Sequence, residues 1–218
     1  MRVIVTGQVG LDKTAYLEAV AALARQSGDA VDLYHVGQRM YAEAPDVRPG
    51  RILDLPLSRL HALRRSVFKD ILAETQDGST PGDQHVIVNT HATFRWRHGL
   101  FRAFDFDQID KFGPDMFICM VDNVEAVHHR LHSEHAVDAT LKDLMVWREE
   151  EILATELLAL AGGSRQNACV LPRGRIRPTT RTCFRLVCRP GMKRVYLSFP
   201  MTHVVDLPEV AAEIGRAS

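Results

Sequence analysis

Apolar residues fall into two kinds of run along this chain. Short continuous runs, Val3-Ile4-Val5, Val86-Ile87-Val88 and Met116-Phe117-Ile118-Cys119-Met120-Val121, have the length and two-sided apolarity of strands covered on both faces. Other stretches carry apolar residues at helical spacing: Leu17, Val20, Ala21 and Ala24 within residues 14–26, then Leu57, Leu60, Leu63, Val67, Phe68, Ile71 and Leu72. A third such set is Leu144, Val146, Trp147, Ile152, Leu157 and Leu160 within 141–160. On the middle helix Arg59, Arg64, Arg65 and Lys69 read as the outer face, and Glu149-Glu150-Glu151 reads as a solvated helix face beside a core Trp147. Short strands are also expected at 30–34 and at Ala168-Cys169-Val170-Leu171, with loops at 37–50 and, rich in aromatics, at 93–112. Strands alternating with helices imply an α/β fold of three layers, a mainly parallel sheet flanked by helices.

Composition changes this picture at one place. From Pro172 the chain turns to Pro, Gly, Arg and Thr, and a boundary is expected there: residues 1–171 form the main domain and 172–218 a basic extension. The extension holds strand-like runs at 182–187 and 194–199 and a short helical pattern at 207–214, too little to complete a core of its own. It therefore reads as the start of a second domain in a longer protein. Net charge is zero, yet nine Lys or Arg lie between Arg165 and Arg194 with no acid from Leu157 to Val205. A basic hairpin or a face for an acidic partner accounts for this; with Phe184 as its lone aromatic between Arg173 and Arg194, a nucleic-acid surface rests on charge alone. The four cysteines form no C-x-x-C pair and read as reduced thiols. No run approaches the roughly 20 apolar residues of a membrane span, and the first residues enter a strand directly, so a cytoplasmic protein off the membrane is expected, with homo-oligomers allowed.

The residues with the clearest chemistry follow the first strand. Gly7-Gln8-Val9-Gly10-Leu11-Asp12-Lys13-Thr14 keeps the first glycine, the lysine and the threonine of G-x-x-x-x-G-K-[ST], with Asp12 in place of the second glycine. Such a loop turns backbone N–H groups toward phosphates and ends at the positive terminus of a helix. Lys13 is expected to bridge the terminal phosphates of ATP and Thr14 to ligate Mg²⁺. The strand that by position supplies an acid to the magnesium shell ends instead in Asn89. Further on, Phe94-Arg95-Trp96-Arg97-His98 mixes aromatic and basic side chains where a base or phosphate could be held, with Arg95 as the phosphate candidate. His128, His132 and His135 share one helix face and form either a metal set or part of a polar lid.

The order of Thr6-Gly7 through Thr14, Val36-Gly37-Gln38-Arg39-Met40 and Val88-Asn89-Thr90-His91-Ala92 resembles adenylate kinases of the archaeal type and their nucleoside monophosphate kinase relatives, over roughly residues 2–171. The resemblance implies a P-loop NTPase fold. It also implies that Gly37, Arg39 and Met40 face the acceptor, that Thr90 and His91 lie near the transferred phosphate, and that Arg130 and Arg148 serve as lid arginines beside Lys13. Asn89 stands where that family has aspartate. Val195-Tyr196-Leu197-Ser198-Phe199-Pro200-Met201 is similar to the opening strand and loop of nucleoside 2-deoxyribosyltransferases. The expected function is therefore an ATP-binding, kinase-like phosphotransferase acting on a nucleotide or a small phosphorylated or nucleoside acceptor. The alternative is a nucleotide-sensing module, weakly hydrolysing ATP, that regulates a following nucleoside-processing domain.

Overall fold

The computed structural model describes residues 1–76, 84–135, 137–162, 167–174 and 179–192. Strand β1 (Arg2–Thr6) leads through the glycine loop into α1 (Lys13–Gln26), β2 (Val31–His35), α2 (Val36–Glu43), α3 (Leu57–Gln76) and β3 (His85–Asn89). A hairpin of β4 (Thr93–Trp96) and β5 (Gly99–Arg102) follows, then α4 (Phe106–Phe112) and β6 (Met116–Val121). The described chain closes with α5 (Val124–His135), α6 (Leu141–Ala161), β7 (Asn167–Pro172) and α7 (Thr180–Cys188).

The main sheet has five parallel strands in the order β2-β3-β1-β6-β7. Alternation along its buried strands builds two cores at once. Val3, Val5 and Ile118 face α1 and α7 with Leu17, Val20, Cys183 and Val187, while Ile4, Val88 and Phe117 face α3 and α4 with Leu60, Phe68, Ile71 and Phe112. Helix α6 contributes to both, through Leu144 and Trp147 on one side and Leu158 and Ala159 on the other. Its start is set by a capping box, in which Thr140 Oγ1 accepts from the Asp143 amide at 3.1 Å and the Asp143 carboxylate accepts from the Thr140 amide at 3.0 Å.

Several sequence expectations are corrected. Residues 37–50 open as helix α2, because Val36 and Met40, one turn apart, are both buried. The aromatic loop at 93–112 is the β4–β5 hairpin and α4, held by the cross-strand pair Phe94–Phe101. The run at 182–187 is helix and not strand. Its buried residues Cys183, Phe184, Val187 and Cys188 fall on one helical face that packs on α1, with Tyr16 bonded to Thr179 at 2.8 Å and Arg189 forked onto Asp29 at 2.6 and 2.8 Å. On α6, Leu144 and Trp147 are core, whereas Val146, Leu157 and Leu160 are exposed. Glu151, expected in solvent, is buried at 1% exposure. The run at 194–199, the helical pattern at 207–214 and the resemblance carried by 195–201 lie outside the described residues. Cys119, Cys183 and Cys188 are free thiols, and among the described residues no helix is long and apolar enough to cross a membrane.

Candidate functional site

The glycine loop sits at the carboxyl ends of β1, β2 and β3, where Val5 is in register with Asn89 and Asn89 with His35. Strands β3 and β6 flank β1 on opposite sides, so the crossovers diverge here and a crevice opens beyond the strand ends. Gly7 has φ 139°, and a Cβ there would stand 2.6 Å from Leu11 Cδ1 and 2.7 Å from the Met120 carbonyl oxygen, so glycine alone fits. Asp12 sits at φ 52°, in the left-handed region that aspartate enters more readily than most residues. That backbone shape is how it takes the place of the motif glycine. Its carboxylate accepts from Arg173 Nη2 at 2.8 Å, tying the loop to the segment after β7.

A cavity of about 260 Å³ runs from the loop to α2. Gln8, Val9, Gly10, Leu11, Asp12, Lys13 and Thr14 line one side, Gly37 and Met40 the other, with Thr90 and His91 between them. Lys13 is only 6% exposed, and its Nζ donates to the Gly7 carbonyl at 2.6 Å and stands 3.2 Å from His91 Nδ1. Burial lowers the lysine pKa to about 8, against the attraction of Glu151. Burial, then the lysine's charge, pushes His91 well below its ordinary range, so its ring is neutral at pH 7. Asn89 donates to His35 Nδ1 at 2.9 Å, and the same amide nitrogen lies 3.5 Å from Thr14 Oγ1. Burial also lowers the pKa of His35.

Two buried nitrogens, Gln8 Nε2 and Arg64 Nη2, belong to side chains lining this cleft and have no hydrogen-bond partner in the protein, while His35 Nε2 faces Glu18 Oε1 at 3.7 Å. Buried donors are ordinarily satisfied, so two in one cleft beside a buried ammonium make a wall suited to oxygen-rich anions. The cleft's one lining carboxylate, Asp12, is engaged by Arg173.

The other expected arginines stand elsewhere. Helix geometry in α2 turns Gly37 and Met40 into the cleft and Arg39 away from it, onto Glu74 at 2.6 Å and over the Tyr34 ring at 4.8 Å. Strand alternation in β4 gives Phe94 and Trp96 to the cleft and sends Arg95 to Glu150. Arg130 pairs with Asp122, the residue that follows β6, and Arg148 with its neighbour Glu149 at 3.0 Å. None of these four lines the cleft. Among the described residues no group of three His, Cys, Asp or Glu side chains is arranged to hold a metal, and the His135 side chain is outside the description.

Two functional candidates are not apparent from the sequence pattern. Glu151 Oε1 accepts from the Gly7 amide at 2.9 Å and the Ala92 amide at 2.7 Å. Its Oε2 accepts from both the amide and the hydroxyl of Thr93, each at 2.7 Å. One carboxylate thereby fixes the start of the loop to the turn after β3. Arg64, on α3, is 4% exposed and lies over the Phe94 ring at 5.4 Å. Each interrupts a buried stripe, Arg64 between Leu60 and Phe68, and Glu151 between Trp147 and Thr155, and that interruption is the signal by which either is found.

Sheet order, glycine loop and cleft together define an α/β fold with a parallel five-stranded sheet flanked by helices and a glycine loop at its carboxyl edge. No protein-family model matches the sequence. A solved structure of a proposed kinase from Chloroflexus aurantiacus aligns with a TM-score of 0.53 at 14% identity, covering 88% of this chain and 98% of that one. A tunicamycin resistance protein from Deinococcus radiodurans aligns with a TM-score of 0.48 at 9% identity over 91% and 98% of the two chains. A gluconokinase from Sinorhizobium meliloti gives 0.43 at 15% over 86% and 87%. The first of these carries the likeness of fold.

Proposed function

We propose that this chain is an ATP-dependent phosphotransferase for a small acceptor. The observation that carries the reading is the convergence on one cleft of the glycine loop, the buried Lys13 and two unsatisfied nitrogen donors, Gln8 Nε2 and Arg64 Nη2. In this reading the loop amides and the α1 terminus bind the triphosphate, and Lys13 bridges its terminal phosphates. The only hydroxyl beside the lysine in the loop is that of Thr14, and its neighbours Asn89 and His35 are uncharged; such a set suits Mg²⁺ delivered on phosphates that balance its charge. Thr14 would hold that ion, which lowers the cost of charge developing on the transferred group. The acceptor lies against Gly37 and Met40, with Thr90 and His91 at the point of transfer. The bond from the terminal phosphorus to its bridging oxygen breaks as the acceptor oxygen bonds the same phosphorus, and no base is needed where that oxygen is already anionic. An archaeal-type adenylate kinase is the narrowest form of this reading.

The Asp12–Arg173 bond favours a second reading, in which triphosphate occupancy of the loop is sensed by the segment after β7 and passed to a following domain. Incubation with ATP, Mg²⁺ and a panel of nucleosides, nucleoside monophosphates and small acids separates the two. The first expects a phosphorylated product and the second only binding or slow hydrolysis. Lys13→Ala abolishes ATP-induced thermal stabilisation under both; a variant that ATP still stabilises fully would sink the central claim.

A further inference from the structure

Arg64 is difficult to explain as part of a core. It sits in the middle of α3 with its guanidinium buried, Nη2 lacks a hydrogen-bond partner, and no acid of the described residues forms an ion pair with it. Other acids of α3 and the neighbouring segments pair elsewhere: Glu74 with Arg39, Asp105 with Arg65, Asp54 with Arg51 and Arg97, and Glu150 with Arg95. Burial pulls its pKa down to about 10, which still leaves it a full cation at pH 7. Leaving a charge buried without a partner is among the costliest arrangements in a folded protein. Phe94 offers a ring face as partial compensation, but a cation–π contact does not satisfy an N–H fork.

The setting of that fork is specific. Arg64 lines the same cleft as Lys13 and His91, on the side toward α2, where the walls are the apolar or aromatic Val36, Met40, Tyr41, Leu53, Phe94 and Trp96. The imidazole of His91 feels both cations. A planar guanidinium in such a pocket matches a carboxylate or a phosphate in two parallel bonds.

We infer that the acceptor is an acid, with a carboxylate or phosphate paired to Arg64 and an apolar or planar body against the aromatic wall. The inference rests on the phosphotransferase reading for the word acceptor, but the anion site stands on Arg64 alone. A neutral sugar or free nucleoside leaves the guanidinium unpaired and is excluded by the same cost.

The two readings are separated by titrating the full chain with matched probes, benzoate and phenyl phosphate against benzyl alcohol and phenol, with and without a non-hydrolysable ATP analogue. Thermal shift and quenching of Trp96 report occupancy. At least one acid is expected to bind in the millimolar range or tighter and both neutral compounds to bind weakly; the stronger acid identifies the group. Arg64→Gln should weaken that acid by about ten- to a hundredfold, the loss of one charge-assisted contact, while leaving stabilisation by the ATP analogue intact. Arg64→Lys, which keeps the charge without the fork, should recover part of the affinity and guards against a variant that merely folds poorly. Equal binding of acid and neutral probes overturns the inference, as does failure of both acids to bind or an Arg64→Gln variant with undiminished acid affinity. Loss of ATP-analogue binding in Arg64→Gln assigns the arginine to the donor phosphates instead and also overturns it. Failure of the analogue to bind the unaltered chain counts against the phosphotransferase reading and not against the anion site.

Discussion

Replacing Glu151 by glutamine tests whether the loop is held from behind by a single carboxylate. The side chain keeps its shape and loses its charge. In the native arrangement four donors converge on two oxygens: the amides of Gly7 and Ala92 on one, the amide and hydroxyl of Thr93 on the other. Glutamine can present only one oxygen, so its NH₂ group meets two of those donors head-on. The least costly choice turns NH₂ toward Thr93, whose hydroxyl can rotate to accept, leaving one buried amide orphaned. Bonds to a charged acceptor contribute about 1.5–3 kcal/mol each, and the orphaned donor adds desolvation at the low end of a similar range, so a loss of about 3 kcal/mol is expected. Against a total of about 5–15 kcal/mol this is large, and in a domain of this size it lowers Tm by roughly 6–12 °C. Urea unfolding should show a lower midpoint at unchanged slope, because the folded surface is the same. Glu149→Gln, two positions away on the solvent side with a side chain 65% exposed, serves as control and should change stability by less than about 0.5 kcal/mol. If Glu151→Gln costs less than about 1 kcal/mol, the carboxylate does not organise the loop and the reasoning fails.

Lys13 ties stability and binding to pH. Its pKa is about 8 in the fold and 10.5 in the unfolded chain, so between those values the unfolded state holds more protons and stability rises with pH, by about 3 kcal/mol in total; the burden is fully present below pH 8. Lys13→Met should flatten that slope in urea titrations from pH 7.5 to about 10.5, and an unchanged slope would assign it to other groups. In the unaltered chain, triphosphate affinity should fall about tenfold per pH unit above 8 as the ammonium is lost, a trend calorimetry can refute. Asp12→Gly releases a left-handed aspartate but also its bond to Arg173, so the stability terms offset to within about 1 kcal/mol. Removing a negative charge beside the phosphates should raise triphosphate affinity severalfold, most at low salt; a fall in affinity would mean that the Arg173 tether shapes the loop.

How far the sequence is legible follows from what a hydrophobic pattern can encode. Strands β1, β3 and β6 are covered on both faces, so they announce themselves as unbroken apolar runs, and the glycine loop is legible because Gly7, Lys13 and Thr14 keep a fixed motif spacing between a strand and a helix. Helix α7 reads as a strand because Thr182, Cys183, Phe184 and Val187 have strand-like propensity; the pairs 183–184 and 187–188 carry the helical period that decides the matter. Thr90 and His91, which the resemblance puts near the transferred phosphate, both line the cleft. Arg39 and Arg95 are adjacent in sequence to cleft residues, but one turn of helix or one step of strand turns them the other way. Arg64 and Glu151 read as surface for a common reason. A binary pattern assigns every charged residue to the outside and then fits the helix face to what remains. Following the stripe instead, Leu60–Arg64–Phe68 and Trp147–Glu151–Thr155, places each charge inside from spacing alone. A charge kept on a buried stripe must be answered by something. Glu151 is answered by backbone donors of the loop itself, which makes it part of the protein's internal architecture. The Arg64 fork is answered by no acid among the described residues, and that difference directs one of them to stability and the other to a ligand.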